Sequence, residues 1–390
     1  MINSKNYSLK IQDIHKLTIQ FLCELTILSA LTRVKDILNV VIFASTFRTS
    51  INQASNELQG VPCSSYVLRQ LTNNLQDIDQ LEKELNKILI SKLPKQLKRK
   101  KRQVAIDLVD IPYHGTTEND SDVRRSKAKS GTTHFFSYAT AYVILNGNRY
   151  TLALVRVLAE DNMLDVLKKL MAALKKIGIK ISVLLVDRAF YSVKVIRYLK
   201  TRKQAFIMPA VKKGKKANEN GGPTCTQRLA AQKKSGRTRY TLTNSEGEKV
   251  SFDVVIVCRN LQKKKKKRKT LLYVTYLVNS NSLNWVRKTY RKRFGIESSY
   301  RQLNQARIKT TTRNPGLRLF FYALALILRN IWVWLHASII ASSRRGGKIL
   351  HLSKLPFQKL LLWLFSAIIE QYTLKGEIIG SSNIHRILDG

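Results

Sequence analysis

The sequence predicts an α/β protein with a mixed-sheet core, split by a β-rich insertion and preceded by an all-helical region. Three observations carry that expectation. Apolar residues recur at steps of three and four from residue 8 to residue 92, the spacing of helices packed on one face. Past the basic run Lys95–Arg102 (KQLKRKKR) the pattern changes to β-branched and aromatic runs, which suit strands. A further set of short strand patterns then separates two helical stretches, one ending at Thr201 and the other starting at Leu283. The expected segments are a helical, DNA-binding region at 1–100, the core's first part at 101–203, the insertion at 204–284, the core's second part at 285–345 and a C-terminal helical region at 346–390.

Within the helical region, Asn52–Gln59 and Ser64–Asn73 read as two short helices parted by Gly60-Val61-Pro62, with Ser64 or Ser65 as N-cap. That is the size of a helix-turn-helix, and equally of any two short helices joined by a tight turn. Strands follow at Val104–Ile111, Thr133–Asn146 and Arg149–Leu158, the last two meeting at Gly147-Asn148. Then come a helix at Asp161–Lys176, an apolar strand at Lys180–Val186 closed by Asp187, and a helix at Ser192–Thr201. Three antiparallel strands, a helix, a strand and a helix make the order of an RNase H-like core. The insertion holds Gly221-Gly222-Pro223 and strands at Arg239–Leu242, Val250–Cys258 and Leu271–Val278. A helix is expected from Leu283 through Gln305, and an apolar one at Leu360–Ile369.

Charge narrows the partners. Lys and Arg number 69 against 25 Asp and Glu, a formal net charge of +44 with pI near 10.3, so a polyanion is the expected partner. Membrane-surface binding would gather the cations in one amphipathic helix or juxtamembrane cluster, whereas here every section is basic. Nucleic acid fits better. Cys23, Cys63, Cys225 and Cys258 form no CxxC pair, which argues against a zinc site or a disulfide framework. The first twenty residues lack the marks of a secretory signal, so the expected location is cytoplasmic, nucleoid-associated, in a prokaryote. Leu317–Ile340 approaches a membrane span in length, but Arg318, Arg329, Asn330 and His336 interrupt it, and a buried core helix is expected instead.

Few acids in a basic chain make each buried one conspicuous. Asp107 sits inside the apolar run VAIDLVDI, where a carboxylate is costly unless it binds a cation. Asp110, three residues on, lies on the opposite strand face and is the competitor; an Asp paired with a neighbouring Lys or Arg is the structural alternative. Asp187 ends a buried strand, where open α/β sheets place their sites, and it could also cap the following helix. Glu297 shares a helix face with Tyr290, Arg293, Arg301 and Asn304, a spacing that a salt-bridged surface helix would show as well. Three such acids can hold two divalent cations about 3.5–4 Å apart for phosphodiester chemistry, and oxygen ligands suit Mg²⁺.

The run Tyr290, Arg293, Glu297 resembles the Tyr-Arg-Glu-Lys signature of insertion sequence 4-type DDE transposases. Three of its four members match, with Asn304 where the Lys would fall and Arg301 or Lys309 as substitutes for it. The resemblance covers roughly residues 103–335 and includes an insertion between the second Asp and the Glu. It implies that Asp107, Asp187 and Glu297 bind two Mg²⁺ ions, with Mn²⁺ able to replace them. It also implies that Tyr290 and Arg293 contact DNA near the cleaved end, and that a homo-oligomer acts on double-stranded transposon ends and target, with no membrane partner. The basic segments DVRRSKAK, with Arg124 and Arg125, and KKKKKRK, with Lys263, Lys264 and Lys265, would add contacts to phosphates; as solvated loops they would look the same. A nuclease or resolvase that cuts without joining, and a non-catalytic DNA-binding remnant of a mobile element, are the alternatives.

Overall fold

Strand β1 (Arg102–Pro112) runs antiparallel to one neighbour and parallel to the other, and the sheet is built outward from it. The computed structural model describes residues 10–94, 96–116, 121–145, 148–215, 222, 224–260, 268–278, 282–293, 302–344, 347–349 and 351–375. Among them, β1 lies between β3 (Thr132–Leu145) and β5 (Ile181–Leu185). The far side of β3 takes β2 (Arg124–Lys129) at one end and β4 (Asn148–Val157) at the other, both antiparallel. β5 pairs in parallel with β6 (Phe206–Pro209). The order β4-β3-β1-β5-β6 is the RNase H-like arrangement.

The sequence explains the central strands. Val183, Leu184 and Leu185 of β5 are all buried, as a parallel strand covered on both faces requires. Helix α7 (Met163–Ile177) supplies cover. Asn162 caps it by accepting from the backbone N–H of Leu164 and Asp165, and Gly178 ends it at φ +79°, the left-handed value that glycine adopts without strain. Ser192 likewise caps α8 (Val193–Thr201).

The insertion joins the core sheet, which its reading as a separate section did not anticipate. β9 (Arg268–Tyr276) pairs antiparallel with β6, and β8 (Lys249–Asn260) and β7 (Gly236–Thr243) extend the sheet to nine strands among the described residues. Phe206, Ile207 and Met208 are fully buried, so the short β6 needs a neighbour on its outer edge. At the other end, the free edge of β4 is satisfied by side chains. Asn86 of α5 (Ile78–Ser91) exchanges two bonds with Leu154, each 2.7 Å. Asn330 of α11 (Pro315–Leu335) accepts from Thr151 N at 2.9 Å and donates to Thr151 O at 2.8 Å. An edge closed in this way offers no template for a further strand. Short helices α6 (Gln96–Arg99) and α9 (Cys225–Ala230) lie in the connections.

The chain divides into two units. The sheet unit takes Ile78–Leu303 and Leu326–Lys354, and it includes the short pair β10 (Ser342–Arg344) and β11 (Gly347–Ile349). The helical unit takes Met1–Asp77, Asn304–Ala325 and Leu355–Gly390, so it draws on later parts of the chain besides the N-terminal segment. In it α12 (Phe357–Gln371) packs on α1 (Ile11–Cys23) and α2 (Val34–Thr46), with Phe43 stacked on Phe365 at 5.1 Å. Helices α3 (Ile51–Glu57) and α4 (Ser64–Asn74) follow. α11 continued to Ile340 is long and apolar enough to cross a membrane, and 72% of that window is buried inside the protein.

Candidate active site

Asp107 is buried at the centre of β1, opposite Thr140 of β3. Asp187 follows β5 at its carboxyl end and is one-third exposed. The register Ala105–Leu185 sets Asp107 of β1 beside the chain that leaves the end of β5 at Asp187. A third element closes the site: α10 (Leu283–Arg291), capped by Ser282, ends just before Arg293. The helix expected to run to Gln305 is interrupted after Arg291 by a turn at Lys292 and Arg293, residues 302–305 being helical again, and the guanidinium of Arg293 turns inward.

One nitrogen of that guanidinium meets both acids. Arg293 Nη2 lies 2.9 Å from Asp107 Oδ1 and 3.2 Å from Asp187 Oδ1, so the two carboxylates can be no farther apart than those distances together. Nη1 donates to Tyr290 OH at 3.1 Å, and Tyr290 OH donates to Val186 O at 3.4 Å. Burial opposes the Arg293 charge, but Tyr290, Asp107 and Asp187 outweigh it and hold its pKa above the usual arginine value. Burial pushes the Tyr290 hydroxyl well above the tyrosine range.

Asp107 has a second cation. Arg149, at the start of β4, brings Nη1 to 4.0 Å from Asp107 Oδ2, stacks on the Tyr142 ring at 4.0 Å and donates to Thr140 Oγ1. Arg149 in turn bears on Arg329 of α11, whose pKa burial and that repulsion lower to about 9. Asp110 points elsewhere and accepts from Ser137 Oγ at 2.6 Å. Asp187 also accepts from Arg188 N at 2.6 Å, at the start of the 3-10 turn Arg188–Phe190, whereas the helix that it was expected to cap, α8, is capped by Ser192.

A groove of about 1070 Å³ adjoins the site, and its walls include Arg188 and Tyr290. Half of its sixteen lining residues are Lys or Arg and none is Asp or Glu. Lys212, Arg259, Lys269, Arg287 and Arg291 are among those cations, above an apolar floor that includes Leu271 and Tyr273. Nη1 of Arg287 is buried without a hydrogen-bond partner among the described residues. Sequence reasoning missed this set, because cations are too frequent in the chain for spacing alone to single them out.

The other expected residues divide three ways. Glu297, Arg301, Lys263, Lys264 and Lys265 lie outside the described residues. Arg124 and Arg125 belong to edge strand β2 rather than to a loop, and Arg125 Nε donates to His134 Nε2 at 3.1 Å; a charged edge strand resists pairing with other chains. Lys309 is exposed in the helical unit, its backbone N–H bonded to Thr49 O at 3.0 Å. Tyr290, expected to contact DNA near the cleaved end, is 1% exposed, and the Arg293 fork faces carboxylates rather than solvent.

Two carboxylates that share one cationic nitrogen form a hard-oxygen donor set, and a divalent cation fits the place the guanidinium fills. Among the described residues no cluster of three His, Cys, Asp or Glu occurs. The sheet order is that of an RNase H-like protein.

The chain belongs to the Transposase DDE domain family, whose family model matches residues 98–330. No curated protein matches it. Among solved structures, the cryo-EM structure of piggyBac transposase in a synaptic complex with hairpin DNA is similar over 98% of this chain and 76% of that one, at 11% identity and a TM-score of 0.49.

Proposed function

We propose that the protein is an insertion-sequence transposase of the insertion sequence 4 type, which cleaves a DNA strand and transfers the freed 3′-hydroxyl to target DNA. Asp107, Asp187 and Glu297 are its metal-binding triad in this reading. The observation that carries it is the convergence of Asp107 and Asp187 on one cation beside a groove lined by Lys and Arg. A bound pair of Mg²⁺ ions, replaceable by Mn²⁺, supplies activation of a water or 3′-hydroxyl and stabilisation of the leaving oxygen. The chain's own residues do the rest. The groove cations hold the DNA backbone through its phosphates, independent of sequence. Tyr290, held by Val186 O, fixes the rotation of Arg293, and a two-pronged guanidinium suits a phosphate as well as a carboxylate. A homo-oligomer that holds two transposon ends belongs to the same reading.

A supercoiled plasmid carrying the element's own ends, incubated with the protein and Mg²⁺, tests the proposal through cut and joined products. Asp107→Asn, Asp187→Ala and Glu297→Ala are expected to lower cleavage on the order of a thousandfold, the several kcal/mol that metal-bound charge stabilisation supplies. Asp110→Asn should cut normally. Wild-type rates in Asp187→Ala or Glu297→Ala would sink the triad, and cut ends that never join would move the assignment to a nuclease.

A further inference from the structure

Asp107 meets two cations, and they address different oxygens. Oδ1 accepts from the backbone N–H of Leu108 at 3.1 Å and lies 2.9 Å from Arg293 Nη2, the nitrogen that also reaches Asp187. Oδ2 faces Nη1 of Arg149 at 4.0 Å. That distance exceeds a hydrogen bond, so Arg149 acts on Oδ2 as a charge, and attraction between charges is strong where water is excluded. The side chain of Arg149 is 2% exposed and that of Asp107 9%.

The two guanidiniums are mounted differently. Arg293 follows the end of α10, where its Nη1 donates to Tyr290 OH. Arg149 stands on β4 opposite Ile144 of β3, and two other residues of β3 fix it. Its guanidinium lies 4.0 Å over the Tyr142 ring, and Nη2 donates to Thr140 Oγ1. Thr140 is the register partner of Asp107 and is fully buried. Three adjacent strands thus hold acid, hydroxyl and guanidinium as one set. Arg149 also repels the buried Arg329. Burying like charges near each other is costly, a cost that a residue serving only to fill space would not impose. In the proposed function the metal takes the oxygens that Arg293 bridges, and Arg293 gives way. Arg149 bears on the other oxygen and stays.

We propose that Arg149 is a positioning residue for Asp107: it fixes the rotation of the carboxylate, so that Oδ1 stays turned toward Asp187 when an ion replaces Arg293. The role rests on the metal-dependent transposase reading, and its test measures ion affinity rather than cleavage. Mn²⁺ alone is titrated into the full chain and followed by the electron paramagnetic resonance signal of the free ion. Groups that orient a metal ligand typically set ten- to a hundredfold in affinity. Arg149→Gln should therefore bind Mn²⁺ about tenfold or more weakly than wild type, although it removes a positive charge that repels the ion. A charge acting by repulsion alone would give the opposite sign. Arg149→Lys keeps the charge but lacks the fork, and its affinity should fall between the two. Thr140→Val leaves both charges in place and releases one side of Arg149. It should weaken binding in the wild-type background and add nothing in Arg149→Gln, the non-additivity of residues that act through one another. If Arg149→Gln fails to fold, Thr140→Val alone decides. Mn²⁺ bound by Arg149→Gln or Thr140→Val as tightly as by wild type, or more tightly, overturns the role while the metal site stands. Wild-type affinity no greater than that of Asp107→Asn strikes the metal reading itself, and this role with it.

Discussion

In the proposed function a divalent cation binds the carboxylates that the Arg293 guanidinium bridges, so Arg293 and metal would compete for the same oxygens. Two consequences follow for single residues. Without Arg293 the two acids face each other with less compensation, and breaking a buried pair by removing one partner is costly; the partial exposure of Asp187 softens that cost. Arg293→Gln is therefore expected to lower the melting temperature in EDTA by about 5 °C or more. Added Mg²⁺ should recover more of the loss in this variant than it adds to wild type. Thermal melts with and without Mg²⁺ measure both, and an equal Mg²⁺ response in the two proteins would rule out the competition. The second consequence concerns legibility. Asp187, Tyr290 and Arg293 could be picked out in the sequence, because a buried strand ending in Asp and a three-residue spacing both leave marks in the chain. Arg149 left none: it follows a turn as one cation among 69 Lys and Arg, and only the pairing of β4 with β3 brings it toward Asp107.

Among the elements, α11 shows how a polar residue reads differently in a chain and in a fold. In the sequence, Asn330 served as an interruption that argued against a membrane span. In the fold it is 4% exposed and satisfies Thr151 N and O together with Leu89 O. Asn330→Leu would leave three backbone groups buried and unpaired, at about 1–3 kcal/mol for each group not rescued by water. Chemical denaturation should show a loss of at least about 2 kcal/mol, and a variant as stable as wild type would mean that the edge of β4 finds other partners. The core strands β1, β3, β4 and β5 were legible because their apolar runs are long enough to set a period. β2, with the sequence RRSKAK, and β6, four residues long, were not, since charge hides the first and brevity the second. The helical unit's later segments were also hidden, because contact between distant parts of the chain leaves no local pattern.

For the whole molecule, charge and buried hydroxyls set the response to solution conditions. With a net charge of +44 and a groove of Lys and Arg, binding to random duplex should fall steeply with salt. A log–log slope steeper than about −6 corresponds to roughly seven or more phosphates neutralised, and fluorescence anisotropy across a salt series would reveal a shallower one. Burial raises the hydroxyl pKa values of Tyr142, Tyr150, Tyr191 and Tyr290 well above the ordinary tyrosine value. A group whose folded pKa is raised contributes stability that is complete below the unfolded pKa, about 10 for tyrosine, and that drains away as pH climbs toward the folded value. The melting temperature should therefore drop above about pH 10, and a flat profile from neutral pH through that range would contradict the burial of these hydroxyls.

The pairing of β6 with β9 gives the sheet a mechanical property. Strands locked edge to edge by backbone hydrogen bonds behave as one stiff plate, and the insertion has no hinge at β6 about which to swing. A pull or twist on β7 and β8 is passed through β9 and β6 to β5, two residues from Asp187. The rim of the insertion is thus joined by unbroken backbone pairing to the strand that ends two residues before Asp187.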